Sequence, residues 1–430
     1  MKTEILNKLF KNRTAKNASW LIFGRIAQMV ISLFVGTITA RYLGPSNYGL
    51  IGYAGSYSAF FMAFCTLGIN SLLVKELVQN PKQEGEILGT ALLLRIISSI
   101  CSVFIIFCIV SVVDAGEKTT VLVVLLCNIS TIFNAFEIFN FWFQSKLKSK
   151  VTAIVSLIAY IVTAIYKIIL LILGKSVLWL AFATSVDYIC VAVLLCLVYF
   201  KSGGSGLNFS AGYAKRLLSQ SYHFILSSIM VAVYANTDKL MLKHMISQSE
   251  VGYYSTATTV STMWCFIISA IIDSMVPSIV ETYGKDEKLF VKRNIQLYCI
   301  VFYLAMFVSF VITVFAPLII QILYGRAYLP SINPLRIVTW YTAFSYLGVA
   351  RNAWLVCKKR QQYLKYIYFL AMLANVALNL ILIPILGASG AALASLISQI
   401  LTSVILPFCI KDLRENSIMM LKAIVLKGIK

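Results

Sequence analysis

The chain has 430 residues, 60% of them hydrophobic and only 12% charged, about half the charged share of a soluble globular protein. Lipid is the solvent such a chain is built for, and repeated spans of about 20 residues leave no length for a separate soluble domain. The formal net charge of +21 would point to nucleic acid in a soluble protein. Here the Lys and Arg gather in the gaps between apolar stretches, where anionic leaflet lipids attract them, so nucleic acid is not an expected partner.

Segment 1–17 is basic (Lys2, Lys8, Lys11, Arg13, Lys16) and lacks an Ala-x-Ala-like cleavage site, so it reads as retained rather than as a signal peptide. Twelve apolar stretches follow, at 19–40, 50–74, 87–113, 121–143, 151–173, 177–200, 217–242, 251–280, 295–323, 332–357, 363–386 and 389–410. They are too long and too uniformly apolar for barrel strands, and a helix satisfies its own backbone in lipid. The expected fold class is an all-α integral membrane protein of about twelve transmembrane helices. Lys and Arg crowd the N-terminal segment, the even-numbered gaps and the C-terminal tail, and are sparse in the odd-numbered gaps. The positive-inside rule then puts both termini in the cytoplasm.

The first stretch carries Arg25, Gln28, Ser32, Gly36 and Thr39 at helical spacing, a single polar stripe. The second repeats it with Gly52, Ser56, Ala59, Ala63, Thr66 and Asn70. In the sixth gap Lys201 to Leu207 reads KSGGSGL, a flexible linker composition. It divides the chain into a first six-helix lobe (1–200), a linker (201–216), a second six-helix lobe (217–411) and a basic tail (412–430), whose end, 418–430, suits an interfacial helix. The seventh stretch carries Ser228, Ala232, Asn236, Lys239 and Lys243, and the eighth Thr258, Thr262, Cys265, Ser269, Asp273 and Pro277. Four such stripes on the first two helices of each lobe would line one shared wet cleft.

The halves also resemble each other. At a shift of 203 residues Gly49, Ala54, Thr66 and Asn70 fall on Gly252, Ala257, Ser269 and Asp273, and later Leu173-Gly174 matches Leu386-Gly387. An even number of helices per half gives parallel repeats about a pseudo-two-fold along the membrane normal.

Soluble-enzyme chemistry is missing from the sequence. It has no phosphate-cradling glycine loop, and its two histidines, His223 and His244, are not spaced as a His-Glu-x-x-His zinc site. Glu84-Gly-Glu86 reads as a solvated turn. The ten cysteines lie in or beside apolar segments and read as small packing residues. No cofactor and no metal are expected. What remains is ionisable groups inside spans, which normally face a cavity or a partner: Arg25, Arg95, Glu137, Lys167, Asp187, Asp238, Asp273, Arg336 and Arg351. Glu137 and Asp187 are candidate partners for Arg95 and Lys167. The cavity candidates are Arg25, Gln28, Asn70, Asn236, Asp238, Lys239, Asp273 and Arg351; Asp238 and Lys239 could alternatively be an internal ion pair.

Three segments carry a family resemblance: Ala40–Leu50 (ARYLGPSNYGL), Asp238–Leu242 (DKLML) running into Glu250–Ala257 (EVGYYSTA), and Leu378–Ala394 (LNLILIPILGASGAALA). Through them the chain resembles the polysaccharide-biosynthesis flippases of O-antigen, capsule and exopolysaccharide assembly, relatives of the lipid II flippases and of the multidrug and toxin extrusion exporters. The resemblance implies two lobes that move an undecaprenyl-diphosphate-linked oligosaccharide across the bacterial cytoplasmic membrane by alternating access. Membrane lipids and other polysaccharide-assembly proteins would be further partners, and the chain would be a transporter, not an enzyme. Competing readings are a multidrug exporter of the same superfamily, whose cavity would favour acids, and a membrane polysaccharide polymerase, which would be expected to carry a substantial outer loop.

Overall fold

The computed structural model describes residues 13–426, so the basic segment 1–12 and Lys427 and Lys430 lie outside the described residues, as does the side chain of His223. Every regular element among the described residues is helical and none is a strand, as a backbone immersed in lipid requires. Helix α1 (Arg13–Thr66) covers the first apolar stretch and most of the second, and is broken at Gly44, whose φ of 71° is non-helical. Glycine adopts that φ without steric cost, and Pro45 behind it lacks the N–H that a continuing helix would use.

Beyond α1 come α2 (Asn70–Gln79), α3 (Glu84–Val113), α4 (Lys118–Asn128), α5 (Ser130–Asn134), α6 (Ile138–Ser145), α7 (Ser149–Ile172) and α8 (Val177–Lys201). The fourth stretch is thus in pieces, with a 3-10 turn at Ala135–Glu137 ahead of α6. The chain continues through α9 (Ala211–Met245), α10 (Gln248–Thr262), α11 (Phe266–Thr282), α12 (Glu287–Leu323), α13 (Ile332–Val338), α14 (Tyr341–Cys357), α15 (Leu364–Leu386), α16 (Ala388–Ile400), a π-helical turn at Leu401–Ile405, α17 (Leu406–Cys409) and α18 (Arg414–Ile424).

Eight helices among the described residues are long and apolar enough to cross a membrane, and α10 with α11, bent by 42°, would make a ninth span. One of the eight, Gly24–Thr66, holds most of each of the first two predicted stretches. The seventh stretch lies within α9 (Ala211–Met245), several of whose side chains fall outside the described residues. The tenth is split between α13 and α14, each shorter than a span.

The chain forms two compact units. The first contains the residues up to Leu43 and Leu50–Ala232; the second contains Gly44–Gly49 and the chain from Val233 onward, so the division falls inside α9. Within the second unit, a Cβ on Gly49 would lie 1.9 Å from the Gln248 carbonyl oxygen and one on Gly252 2.1 Å from that of Pro45. Backbones that close exclude any side chain, which accounts for the glycines in two of the family-like segments. The paired glycines of the internal comparison also behave alike: Gly174 and Gly387 turn the chain with φ of 64° and 56°.

In the first unit Phe139, Trp142, Phe143 and Tyr199 anchor an apolar core, with Trp142 edge-on to Tyr199 at 4.8 Å. Two expectations are corrected here. Glu84 is not in a solvated turn: it is buried and accepts hydrogen bonds from Trp142 Nε1 (3.0 Å) and Ser205 Oγ (2.8 Å) while pairing with Lys146 at 3.0 Å. Nor is the glycine-rich segment after α8 loose. Tyr199 donates to the Ser205 carbonyl at 2.7 Å, the Asn208 amide donates to the Gly85 carbonyl at 3.1 Å, and Arg216 pairs with Glu76 at 2.9 Å. Gly85 and Gly89 give this strap its seat, because a Cβ on either would meet Gly206 or Asn208 oxygen at 2.2 and 2.4 Å.

In the second unit α18 packs on α12. Asn416 donates to Tyr298 Oη at 2.6 Å, and Tyr303 donates to the Ile424 carbonyl at 2.7 Å. Met419, Met420 and Ala423 face inward, while Ile418 and Leu421 stay exposed, an outer apolar face suited to lipid. All ten cysteines are free.

Candidate functional site

Each unit holds a cavity lined by polar groups. The first, of about 300 Å³, takes Arg25 and Gln28 from α1, Asn140 and Gln144 from α6, and Ser149, Thr152 and Ser156 from α7. Each helix contributes residues three or four apart, so a single face of each is turned to the space. Arg25 is exposed, Gln28, Asn140 and Ser156 are half-buried, and Ser149 and Thr152 are buried. Thr152 Oγ1 is committed to the Ser149 carbonyl at 3.0 Å. The Asn140 Oδ1 atom is enclosed and has no hydrogen-bond partner. One guanidinium among neutral amides and hydroxyls, with no carboxylate in the lining among the described residues, suits an anion carried on a hydroxylated molecule.

The position of α6 depends on Arg95. This arginine is 0% exposed, and its Nη2 donates to Asn134 Oδ1 at 2.7 Å and to the Asn134 carbonyl at 3.3 Å, next to the 3-10 turn at Ala135–Glu137. A carbonyl freed by a break in an intramembrane helix needs such a donor. Asp187 accepts a hydrogen bond from Thr163 Oγ1 at 3.3 Å.

The second cavity, of about 160 Å³, is lined by Asp238, Tyr254, Thr258, Thr262, Tyr341 and Ser395 among others. Asp238 is 2% exposed. It accepts from Tyr254 Oη (2.6 Å), Ser395 Oγ (2.5 Å) and Asn379 Nδ2 (2.6 Å), and Asn379 also donates to Asn375 Oδ1 at 3.0 Å. Asn375 Nδ2 and Asn379 Oδ1 are left unpartnered. No group of three or more His, Cys, Asp or Glu that could hold a metal occurs among the described residues. A lone carboxylate amid hydroxyls and amides is chemistry for a proton or a monovalent cation, since divalent ions usually draw on more carboxylates.

The other candidates are dispersed. Asn70 is half-buried with Oδ1 unpartnered, Asn236 and Lys239 are half-buried, Asp273 is exposed, and none of them lines either cavity. Arg351 is 1% exposed and donates from Nη1 to the Thr402 carbonyl, 3.2 Å away inside the π-helical turn. Arg336 donates to the Thr313 carbonyl at 3.3 Å. Several stripe hydroxyls bond back to their own helices: Thr66 to the Met62 carbonyl, Thr262 to that of Thr258 and Ser269 to that of Cys265.

Sequence reasoning passed over Asn140, Gln144, Ser149, Thr152 and Ser156, and in the second unit Tyr254, Asn375, Asn379 and Ser395. A signal existed for each set. Asn140 and Gln144 are four apart in an otherwise aromatic run, and Tyr254, Asn379 and Ser395 lie in or beside the family-like segments.

An all-helical chain with several spans and a polar cavity in each of two units is a multi-pass membrane protein, and its fold is that of the MOP-superfamily transporters. An inward-facing multidrug resistance MATE family transporter of that superfamily aligns with a TM-score of 0.70 at 14% identity, over 92% of this chain and 96% of the other. The lipid II flippase MurJ in an inward closed conformation gives 0.72 at 14% identity, over 94% and 92%, and an outward-facing MATE transporter gives 0.64 at 14%, over 95% and 98%. The chain belongs to the polysaccharide biosynthesis protein family, which matches residues 14–283. No curated protein matches the sequence.

Proposed function

We propose that this protein is a flippase that carries undecaprenyl-diphosphate-linked oligosaccharide repeat units across the bacterial cytoplasmic membrane by alternating access. In this reading twelve spans form two six-helix lobes, 1–200 and 217–411, joined through 201–216, with both termini cytoplasmic. The observation that carries it is the Arg25 cavity, whose only charged lining group among the described residues is a guanidinium and whose other described polar groups are neutral. A diphosphate-sugar headgroup has to leave water while its prenyl tail stays in lipid, and a guanidinium fork for phosphate with amides and hydroxyls for sugar replaces the lost hydration. Membership of the polysaccharide biosynthesis family and the fold shared with MurJ support the same substrate class. A cation exporter would be better served by an acid-lined cavity, and Asp238 is already engaged by three donors.

The test is complementation of flippase-deficient strains that make known glycan repeat units, scored for surface polysaccharide. Restored surface glycan in at least one strain is expected. A failure in every strain despite membrane insertion, with drug efflux or glycan polymerisation gained instead, would replace this reading with one of its rivals.

A further inference from the structure

We infer that the outer face of α18, with Lys411 just ahead of it, is a docking surface for the anionic phospholipid headgroups of one membrane leaflet. Position gives the first argument. The span Ala388–Cys409 ends just before α18, and the spans Glu287–Leu323 and Gln361–Leu386 begin beside it, since Lys358 pairs with Glu287 at 2.5 Å and Arg360 with Asp412 at 3.1 Å. Ile410, in extended backbone at φ −89° and ψ 116°, breaks the helical run between the last span and α18. Its 11 residues make a helix of about 16 Å, roughly half the thickness of the hydrocarbon core. Placed at the end of a span and too short to cross, α18 lies at the boundary between lipid and water.

The faces of α18 give the second argument. Met419, Met420 and Ala423 are buried on its inner side, whereas Ile418, Leu421 and Val425, three and four residues apart, form an exposed stripe on the other. A helix that is apolar on both sides needs a second partner besides the protein it packs on. Arg414 and Lys422 lie four residues either side of Ile418, and both are exposed, as is Lys411. An apolar stripe flanked by cations fits acyl chains beneath anionic headgroups.

Charge gives the third. The segment 406–426 has two acids, Asp412 and Glu415, and both serve the loop before α15. Asp412 pairs with Arg360 and accepts from Tyr363. Lys358 is held above its ordinary pKa by its bond to Glu287 and also by the nearby charge of Glu415. Among the described residues neither acid forms an ion pair with Lys411, Arg414 or Lys422. Arg414 is also fixed in place, its Nε donating to the Phe408 carbonyl at 3.3 Å and its guanidinium 5.7 Å from the Phe408 ring. The rest of its fork is left for a phosphate.

The experiment places the full-length protein in lipid nanodiscs, either of phosphatidylcholine alone or with phosphatidylglycerol added, and follows backbone hydrogen exchange of 411–426. Docking on the folded helix stabilises it by mass action, at about five-fold per cation near an anionic surface. Phosphatidylglycerol should therefore slow exchange by about ten-fold or more, and less at high salt. Replacing all three cations together, Lys411→Gln, Arg414→Gln and Lys422→Gln, should abolish the difference between the two lipids. If thermal unfolding in detergent shows that this variant fails to fold, Lys411→Gln with Lys422→Gln takes its place; it keeps the Arg414 bond to Phe408 and should lose most of the difference. Equal exchange in the two lipids, or a folded variant that keeps the full difference, would overturn the inference. So would protection seen only in discs that hold two copies of the chain, which would assign the face to a second copy.

Discussion

Arg95 Nη2 lies 2.7 Å from Asn134 Oδ1, and this buried contact fixes the turn from which α6 carries Asn140 and Gln144 to the Arg25 cavity. Arg95→Met removes the donor and leaves the Asn134 groups unpartnered. A hydrogen bond to a charged group contributes about 1.5–3 kcal/mol. Thermal unfolding in detergent should therefore begin several degrees lower, with Arg95→Lys in between. An unchanged unfolding temperature for Arg95→Met would show that the turn holds without it.

Asp238 allows a graded test in the second unit. Tyr254→Phe removes one of three donors and should cost about 1 kcal/mol. Asp238→Asn keeps an acceptor but turns an amide N–H₂ toward a donor, and Asp238→Ala strands all three donors at about 1–3 kcal/mol each. Unfolding temperatures should fall in the order wild type, Tyr254→Phe, Asp238→Asn, Asp238→Ala. Equal stability of Asp238→Ala and wild type would mean the three bonds contribute nothing net.

Limited proteolysis tests the seat of the strap after α8. Seated against Gly85 and Gly89, it should resist limited digestion in the wild-type protein. Gly85→Ala or Gly89→Ala puts a Cβ near 2.2 or 2.4 Å from strap oxygens, an overlap that only displacement relieves, and cleavage between 202 and 210 should accelerate at least several-fold. Identical digestion rates would mean the strap is not held by this seat.

How much of this was legible in the sequence depended on the kind of signal. Helical class followed from hydropathy, because lipid leaves a backbone few alternatives. Arg25 and Gln28 were legible because the polar stripe of α1 stands out from an apolar helix, and they share one cavity. Asn140 and Gln144 were hidden inside an aromatic run, and their role depends on a 3-10 turn that composition does not mark. The strap was misread for a related reason. Glycine and serine signal flexibility in a linker, but here they are small because backbones meet, and that requires knowing that Gly85 and Gly89 lie opposite. Asp238 was legible as a buried acid, yet its partners Asn379 and Ser395 are some 140 to 160 residues away, a distance periodicity cannot bridge.

The proposed topology rests on the charge pattern. Reporter fusions after Lys201 and after Lys411 should both register as cytoplasmic, since basic gaps are retained on that side. An external signal at either site would overturn the lobe assignment.

The most direct measurement of the central claim is export of surface glycan by Arg25 variants at matched membrane protein level, in a strain that the wild-type chain complements. Arg25→Ala should abolish export, since losing a charge-assisted partner costs roughly 2–5 kcal/mol of substrate binding. Arg25→Lys should retain part of it, because the charge survives while the two-pronged phosphate geometry does not. Full export by Arg25→Ala, or recovery of export when Asp238 or Asp273 is neutralised as well, would contradict direct phosphate binding and make Arg25 an ion-pair residue instead.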